Sequence, residues 1–367
     1  MNKSKTEQLS VILKQELGVH GNNCKTVIDF ICALQKARTV NLSKMSNYSN
    51  KVSKVNSQSI YKSYQRLIHN CKIGQDDLAK CIIKMYGFEH CKLTLSMDRT
   101  NWCYGKSDIN LLVLSVCVLD CAIPLYWIGL DKRGNSNTKE RIDLLDMFIQ
   151  NFGVDAIEYL VADREFIGIE WMDYLNVNRI NFAIRIKSNM ILEVNGKSIK
   201  ANKLFSSVGI GGLVSHQCKI EGYTLLAQAT RSIDNELVIV VSNNLQEPNL
   251  LAIYAKRWRI ECLFSNCKTR GFNFEDTHIT SSYRIGNLTK LIVLAFAICY
   301  LIGLVRASIK PLTIKKHGYK QTSYFRYGYD LLIQKLNQNF CSAIRLITLC
   351  MSDFELEVKC KKLISVM

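Results

Sequence analysis

The stretch YAKRWRIECLFSNCK, residues 254–268, carries Tyr254, Arg257, Glu261 and Lys268. On a helix turning about 100° per residue, these four fall inside one stripe about 60° wide. Ile253, Trp258, Cys262, Leu263 and Phe264 supply apolar matter around the rest of the turn. A carboxylate flanked by two cations and a phenol is either a salt-bridge ladder or a site for a phosphate chain and a metal ion. The helix is expected to begin near Pro248–Asn249 and to stop at Gly271, with glycine as its C-cap.

Two further carboxylates sit where apolar runs stop. KLTLSMD alternates and closes on Asp98, and IEYLVAD is a buried strand closing on Asp163. Either aspartate alone is an ordinary strand end. Two strand-end aspartates joined by Glu261 on a later helix form an oxygen-only donor set suited to hard cations such as Mg²⁺. Two such ions about 4 Å apart can activate a water or 3′-hydroxyl and stabilise the leaving oxygen of a phosphodiester. Glu165 is the rival ligand, two residues past Asp163. Arg99 and Arg164 directly follow the two aspartates and either contact DNA or balance charge.

The elements that must position these residues are legible as patterns. TVIDFICALQ and LAKCIIKMYGF have helical spacing. The Ser/Asn/Lys-rich stretch between them reads as a helix-turn-helix unit or as a solvated cap. INLLVLSVCVLD and AIPLYWIGLD are buried strands, TKERIDLLDMFIQNFG is an amphipathic helix, GIEWMDYLN a helix and INFAIRI a strand. The order β-β-β-α-β-α-β implies an α/β fold, a mixed sheet flanked by helices. Residues 188–245 read as a β-rich insertion. The expected domains are a helical DNA-binding region (1–92), a catalytic core (93–187 and 246–305), the insertion, and a basic helical C-terminal region (306–367).

The chain has 367 residues and a net charge of +17. Residues 1–90 hold 14 basic against 6 acidic side chains, residues 305–367 hold 11 against 4, and the remainder is left with +2. Basic ends around a near-neutral centre suit a polyanionic partner and acidic chemistry between them. The basic, aromatic run KKHGYKQTSYFRYGY, with Lys315 and Lys316, is either a DNA contact or a solvated surface. Fifteen cysteines contain no C-x-x-C pair, which points to reduced thiols in a cytosolic protein. The opening MNKSKTEQLS lacks the apolar core of a signal peptide, and the apolar run 291–305 is short for a membrane span, so a buried helix and no membrane partner are expected. Trp102 and Trp258 read as core packing, and His278 as either a DNA contact or a capping histidine.

The chain resembles the DDE transposases of bacterial insertion sequences in the subgroup with the signature Y-x2-R-x3-E-x6-K. Tyr254, Arg257, Glu261 and Lys268 match it at every spacing, SMDRTNW (96–102) matches the first Asp block, and LVADREFIG (160–168) the second. DKRGNSNTKER and EDTHIT also read like family text, and the resemblance covers roughly residues 40–330. It implies a ribonuclease H-like core with a β-rich insertion, with Asp98, Asp163 and Glu261 ligating two Mg²⁺ ions, Mn²⁺ being able to substitute. It implies that Tyr254, Arg257 and Lys268 hold transposon-end phosphates. Its partners would be double-stranded DNA, ends and target, bound by a homodimer in the bacterial cytosol at the nucleoid. Relatives stack an extruded base on a Trp in the insertion; here no Trp lies in 188–245, leaving Tyr223 and Phe205 as the aromatics to take that place. The competing readings are a DNA-binding protein without catalysis and a general nuclease of the same fold.

Overall fold

The computed structural model describes residues 5–316 and 318–352; residues 1–4, His317 and residues 353–367 of the expected C-terminal region lie outside the described residues. Two compact units form, one from Met1–His90, Asn101–Asn110 and Leu263–Met367, the other from Cys91–Thr100 and Leu111–Cys262.

The chain opens with α1 (Lys5–Leu17), α2 (Asn22–Ala37), α3 (Leu42–Ser46), α4 (Ser57–His69) and α5 (Gln75–Tyr86). The buried carboxylate of Asp29 in α2 accepts bonds from the Ser49 hydroxyl at 2.7 Å, the Asn50 N–H at 2.9 Å and the Tyr64 hydroxyl at 2.8 Å. A buried charge needs such partners, so the polar stretch after α3 is pinned to α2 and α4.

The strands β1 (Leu93–Tyr104), β2 (Ser107–Cys117) and β3 (Ala122–Gly129) come next, then α6 (Thr138–Phe152), β4 (Ile157–Ala162), α7 (Ile169–Val177) and β5 (Phe182–Arg185). The β-rich segment adds β6 (Ile191–Val194), β7 (Lys197–Lys200), α8 (Ala201–Leu204), β8 (Val214–Ile220), β9 (Tyr223–Arg231) and β10 (Leu237–Ser242). All ten strands form one sheet in the order β3-β2-β1-β4-β5-β10-β9-β8-β6-β7. β4 is parallel to both β1 and β5, while β2 and β3 are antiparallel. This is the mixed sheet the pattern implied. The insertion extends it, because β10 pairs antiparallel with β5. One expectation needs correcting: β1 does not end at Asp98 but runs on to Tyr104. What stops there is the pairing with β4, whose last rung is Met97–Ala162.

The helix expected from residue 249 to 271 is interrupted. It forms α9 (Leu250–Ala255) and α10 (Trp258–Cys267). Between them the N–H groups of Lys256, Arg257, Arg259 and Ile260 bond to the carbonyls three residues back. The Cys117 thiol also donates to the Lys256 carbonyl at 3.4 Å, so that oxygen is shared between the thiol and the Arg259 N–H instead of taking the Ile260 N–H that continuous α-helix would bring to it. Gly271 is also not a left-handed cap. A Cβ there would sit 2.1 Å from the Asn266 carbonyl oxygen and 3.0 Å from the Phe325 ring, so the glycine is required for space.

Three helices complete the first unit: α11 (Ser282–Ile309), α12 (Tyr324–Gln338) and α13 (Phe340–Met351). α11 is long and apolar enough to cross a membrane, but 89% of its most apolar window is buried inside the protein, as for a core helix. It meets α12 at backbone distance. A Cβ on Gly303 would lie 1.8 Å from the Tyr324 oxygen, and one on Gly328 would lie 2.0 Å from the Cys299 oxygen. Gly286, on the same helix, has nothing within 4 Å of such a Cβ. Gly303→Ala is therefore expected to cost about 2–3 kcal/mol or more in urea unfolding, whereas Gly286→Ala gains about 0.5–1 kcal/mol from helix propensity. Similar midpoints for the two variants would refute the close contact.

Candidate active site

The parallel pairing of β1 and β4 sets the site. Since Met97 faces Ala162 on the last rung, Asp98 and Asp163 are the next residues on adjacent strands, which are about 4.8 Å apart in such a sheet. Asp98 is nearly buried, its side chain 15% exposed. It accepts the Arg99 N–H at 2.7 Å and lies 3.4 Å from Nη1 of Arg257. Asp163 leaves β4 into a short 3-10 turn, Arg164–Phe166, and accepts the Tyr254 hydroxyl at 3.4 Å. Glu261, on the first turn of α10, lies 3.2 Å from the same Nη1 of Arg257. One guanidinium, 11% exposed, thus joins Asp98 to Glu261.

Charges follow from this crowding. Burial pushes the Asp98 carboxyl from the usual 3.8 up to about 7. The Arg99 N–H opposes that rise, Glu261 adds to it, and Arg257 again opposes it. Burial works against the Arg257 cation, yet Tyr254, Asp163 and Asp98 hold its pKa above the ordinary value. Burial raises the Tyr254 phenol, which therefore remains a donor.

The remaining candidates are placed as follows. Arg99 grips the rival ligand Glu165 with both arms of its fork, at 2.7 and 2.8 Å, and donates to the Gly134 carbonyl at 2.6 Å. Arg164 is exposed. Lys268 belongs to the other unit, where its ammonium meets Glu275 at 2.8 Å and the Asn101 carbonyl at 3.3 Å. Lys315 and Lys316 are exposed in that unit. Trp102 is buried against Phe274, as expected, but Trp258 is 62% exposed and corrects the core-packing expectation. It opens α10 directly after the helix break. His278 stacks on Tyr104 and approaches the Asn41 amide at 3.4 Å. In the β-rich segment Phe205 is fully buried and Tyr223 half-buried.

Two positioning residues escaped the sequence reading. Arg141, buried on α6, donates to the Ser136 and Glu165 carbonyls at 2.7 and 3.0 Å and so braces the turn after Asp163. It shares the helix face of Leu144, Leu145 and Phe148, and a cation on an apolar stripe was the available signal. Arg185 ends β5, bonds Glu236, and lies within electrostatic reach of Tyr254 and Asp163. A lone arginine in INFAIRI marked it.

The donors are hard carboxylate oxygens, a set that fits divalent cations such as Mg²⁺. Among the described residues no three His, Cys, Asp or Glu side chains lie close enough together to hold an ion. Arg257 is the cation that Asp98 and Glu261 share in this arrangement.

Residues 90–301 match the family described as Transposase DDE domain. The chain belongs to the DDE transposases. It is accordingly an enzyme that cuts DNA and transfers strands, and DDE transposases use divalent metals. A solved synaptic complex of piggyBac transposase with hairpin DNA is similar at a TM-score of 0.47 and 12% identity, over 93% of this chain and 78% of that one. No curated protein matches.

The Asp98 carboxyl also tests the site without DNA. Its folded pKa lies above its ordinary 3.8, so between that value and about 7 the folded state holds more protons than the unfolded one. Its contribution to stability therefore falls as pH rises through this window. In chelator-treated protein, Asp98→Asn should gain about 1–3 kcal/mol relative to wild type at pH 8 over its effect at pH 4. Urea midpoints at the two pH values measure this, and equal effects would contradict a desolvated carboxyl.

Proposed function

We propose that the chain is the transposase of a bacterial insertion sequence, in the Tyr-Arg-Glu-Lys subgroup. It cleaves at the element's terminal inverted repeats and joins the freed ends to target DNA, acting as a homodimer on double-stranded DNA in the bacterial cytosol. The observation that supports this best is the joining of Asp98 to Glu261 by one buried guanidinium, beside Asp163, at the end of the parallel ladder.

In this reading Asp98, Asp163 and Glu261 hold two Mg²⁺ ions, with Mn²⁺ able to replace them. When bound, the metal supplies activation of the attacking oxygen and stabilisation of the leaving one. Arg257 exchanges its carboxylate partners for a DNA phosphate. Its Nε is buried with no hydrogen-bond partner among the described residues, consistent with an acceptor still to come. Tyr254 donates a hydrogen bond to a phosphate oxygen, and Lys268, in the first unit, offers the DNA a point charge. Arg164, Lys315 and Lys316 lie exposed to the duplex, whereas Arg99 secures Glu165 and keeps the Asp163 turn in place.

The test is an end-labelled duplex carrying the terminal repeat read from the DNA flanking the gene. Wild type is expected to nick at the repeat boundary only with Mg²⁺ or Mn²⁺. Asp163→Asn and Glu261→Gln should lower cutting at least 1,000-fold while changing duplex binding less than threefold. Equal cutting by wild type and variants would eliminate the carboxylate assignment. Binding without cutting by wild type would favour a DNA-binding protein without catalysis, and cutting blind to sequence would favour a general nuclease.

A further inference from the structure

Arg38, Arg270 and Arg326 line one open cleft in the first unit, with a volume of about 530 Å³. We propose that this cleft binds the phosphodiester backbone of duplex DNA, a contact beyond those of the carboxylate site. The inference rests on the reading of the chain as a DNA-cutting transposase.

The cleft is built rather than incidental. Arg38 caps α2 in the left-handed region at φ 56, its N–H bonded to the Leu34 carbonyl at 3.0 Å. An arginine adopts that backbone rarely. Its guanidinium lies 5.3 Å from the centre of the Tyr329 ring, and that of Arg326 lies 5.9 Å from the same ring. Tyr329 is itself buried and anchored, its hydroxyl donating to the Gln35 carbonyl at 2.8 Å. Asp330 holds both arginines, at 3.9 Å from Arg38 and 2.8 Å from Arg326. One carboxylate cannot neutralise two guanidiniums.

The opposite wall follows α10. Gly271 allows its loop to press against Phe325, and a side chain there would collide with backbone. That contact sets Thr269 and Arg270 beside Ser323 at the start of α12. Arg270 is exposed and makes no side-chain bond among the described residues. Three guanidiniums against one carboxylate leave a charge of +2, surrounded by hydroxyls. Guanidinium forks match phosphate oxygens in pairs. Phe325 is the one large apolar side chain in the lining, so a sugar-phosphate chain suits the cleft better than a base or a lipid tail.

The backbone could be that of the element's end or of the target, and the experiment separates them. Arg270→Ala and Arg270→Ala/Arg326→Ala are compared with Lys197→Ala/Lys200→Ala, which removes the same charge as the double variant from exposed positions on β7. Binding of a fluorescent terminal-repeat duplex is followed against salt, and joining of a pre-cut end to supercoiled plasmid is measured in parallel. If the cleft holds the end, the slope of log K against log salt falls by about one for the single and about two for the double variant. If it holds the target, end binding stays unchanged and joining falls at least tenfold. Arg270→Ala breaks no internal bond, so a folding defect does not account for its effect. If both variants match the lysine control in slope and joining, while wild type binds, cuts and joins, the cleft assignment is overturned. If wild type itself neither binds nor cuts, the transposase reading fails first and the inference with it.

Discussion

One parallel pairing, between β1 and β4, is the constraint on which the site depends. Its last rung, Met97–Ala162, sets Asp98 and Asp163 side by side beyond the end of the ladder. A slip of one residue would turn either aspartate to the other face of the sheet. Burial of both strands prevents that slip: Leu95, Met97, Leu160, Val161 and Ala162 are all fully enclosed. Two carboxylates so placed, with a third drawn near, would repel one another in a poorly solvated corner. Arg257 counters that repulsion. Its own desolvation is offset only because Tyr254, Asp163 and Asp98 surround it. Neither the carboxylates nor the guanidinium would be stable there alone.

The β-rich segment could have carried Glu261 far from the aspartates. It does not, because β10 returns beside β5 and continues the same sheet. The chain leaving β10 then lays α9 over β4, β5 and β10, where Leu250 joins a cluster with Tyr159, Val161, Ala183, Leu226 and Val240. Ile253 and Tyr254 pack on that cluster. Tyr254 is thereby carried to Asp163 and Arg257 to Asp98, and the break before α10 turns the chain toward Glu261. An insertion such as residues 188–245 is structurally neutral for the site when its last strand pairs with the strand before it.

Patterns that depend on neighbours in sequence were legible; those that depend on neighbours in space were not. The alternation of KLTLSMD, the apolar run of IEYLVAD and the order of strands and helices follow from periods of 2 and 3.6 residues. They were enough for the mixed sheet and for the positions of Asp98 and Asp163. The interrupted helix was invisible, since the apolar spacing continues through Lys256 and Arg257 while the competing donor, Cys117, lies 139 residues away. Gly271 looked like a cap because glycine usually ends helices that way, yet its reason is Phe325 on α12. Trp258 looked like core because tryptophan usually is, and the break at Arg257 leaves it outside.

The charge of the resting site is partly compensated rather than left as three open carboxylates. Asp98 sits near its protonation midpoint at physiological pH, and Arg257 answers Glu261 as well as Asp98. Such an arrangement lowers the electrostatic cost of folding a carboxylate cluster before any cation or DNA is present. On the proposed ligand assignment it would also make divalent cation and DNA mutually supportive. Were Asp98, Asp163 and Glu261 to hold a divalent cation, as proposed, the buried Arg257 guanidinium would lose its carboxylate partners, and a phosphate would give it a new acceptor. Binding of either one would then remove part of the penalty for the other, which is the thermodynamic meaning of coupling between two sites. A single arginine placed between a strand-end aspartate and a helix glutamate would be sufficient to build it.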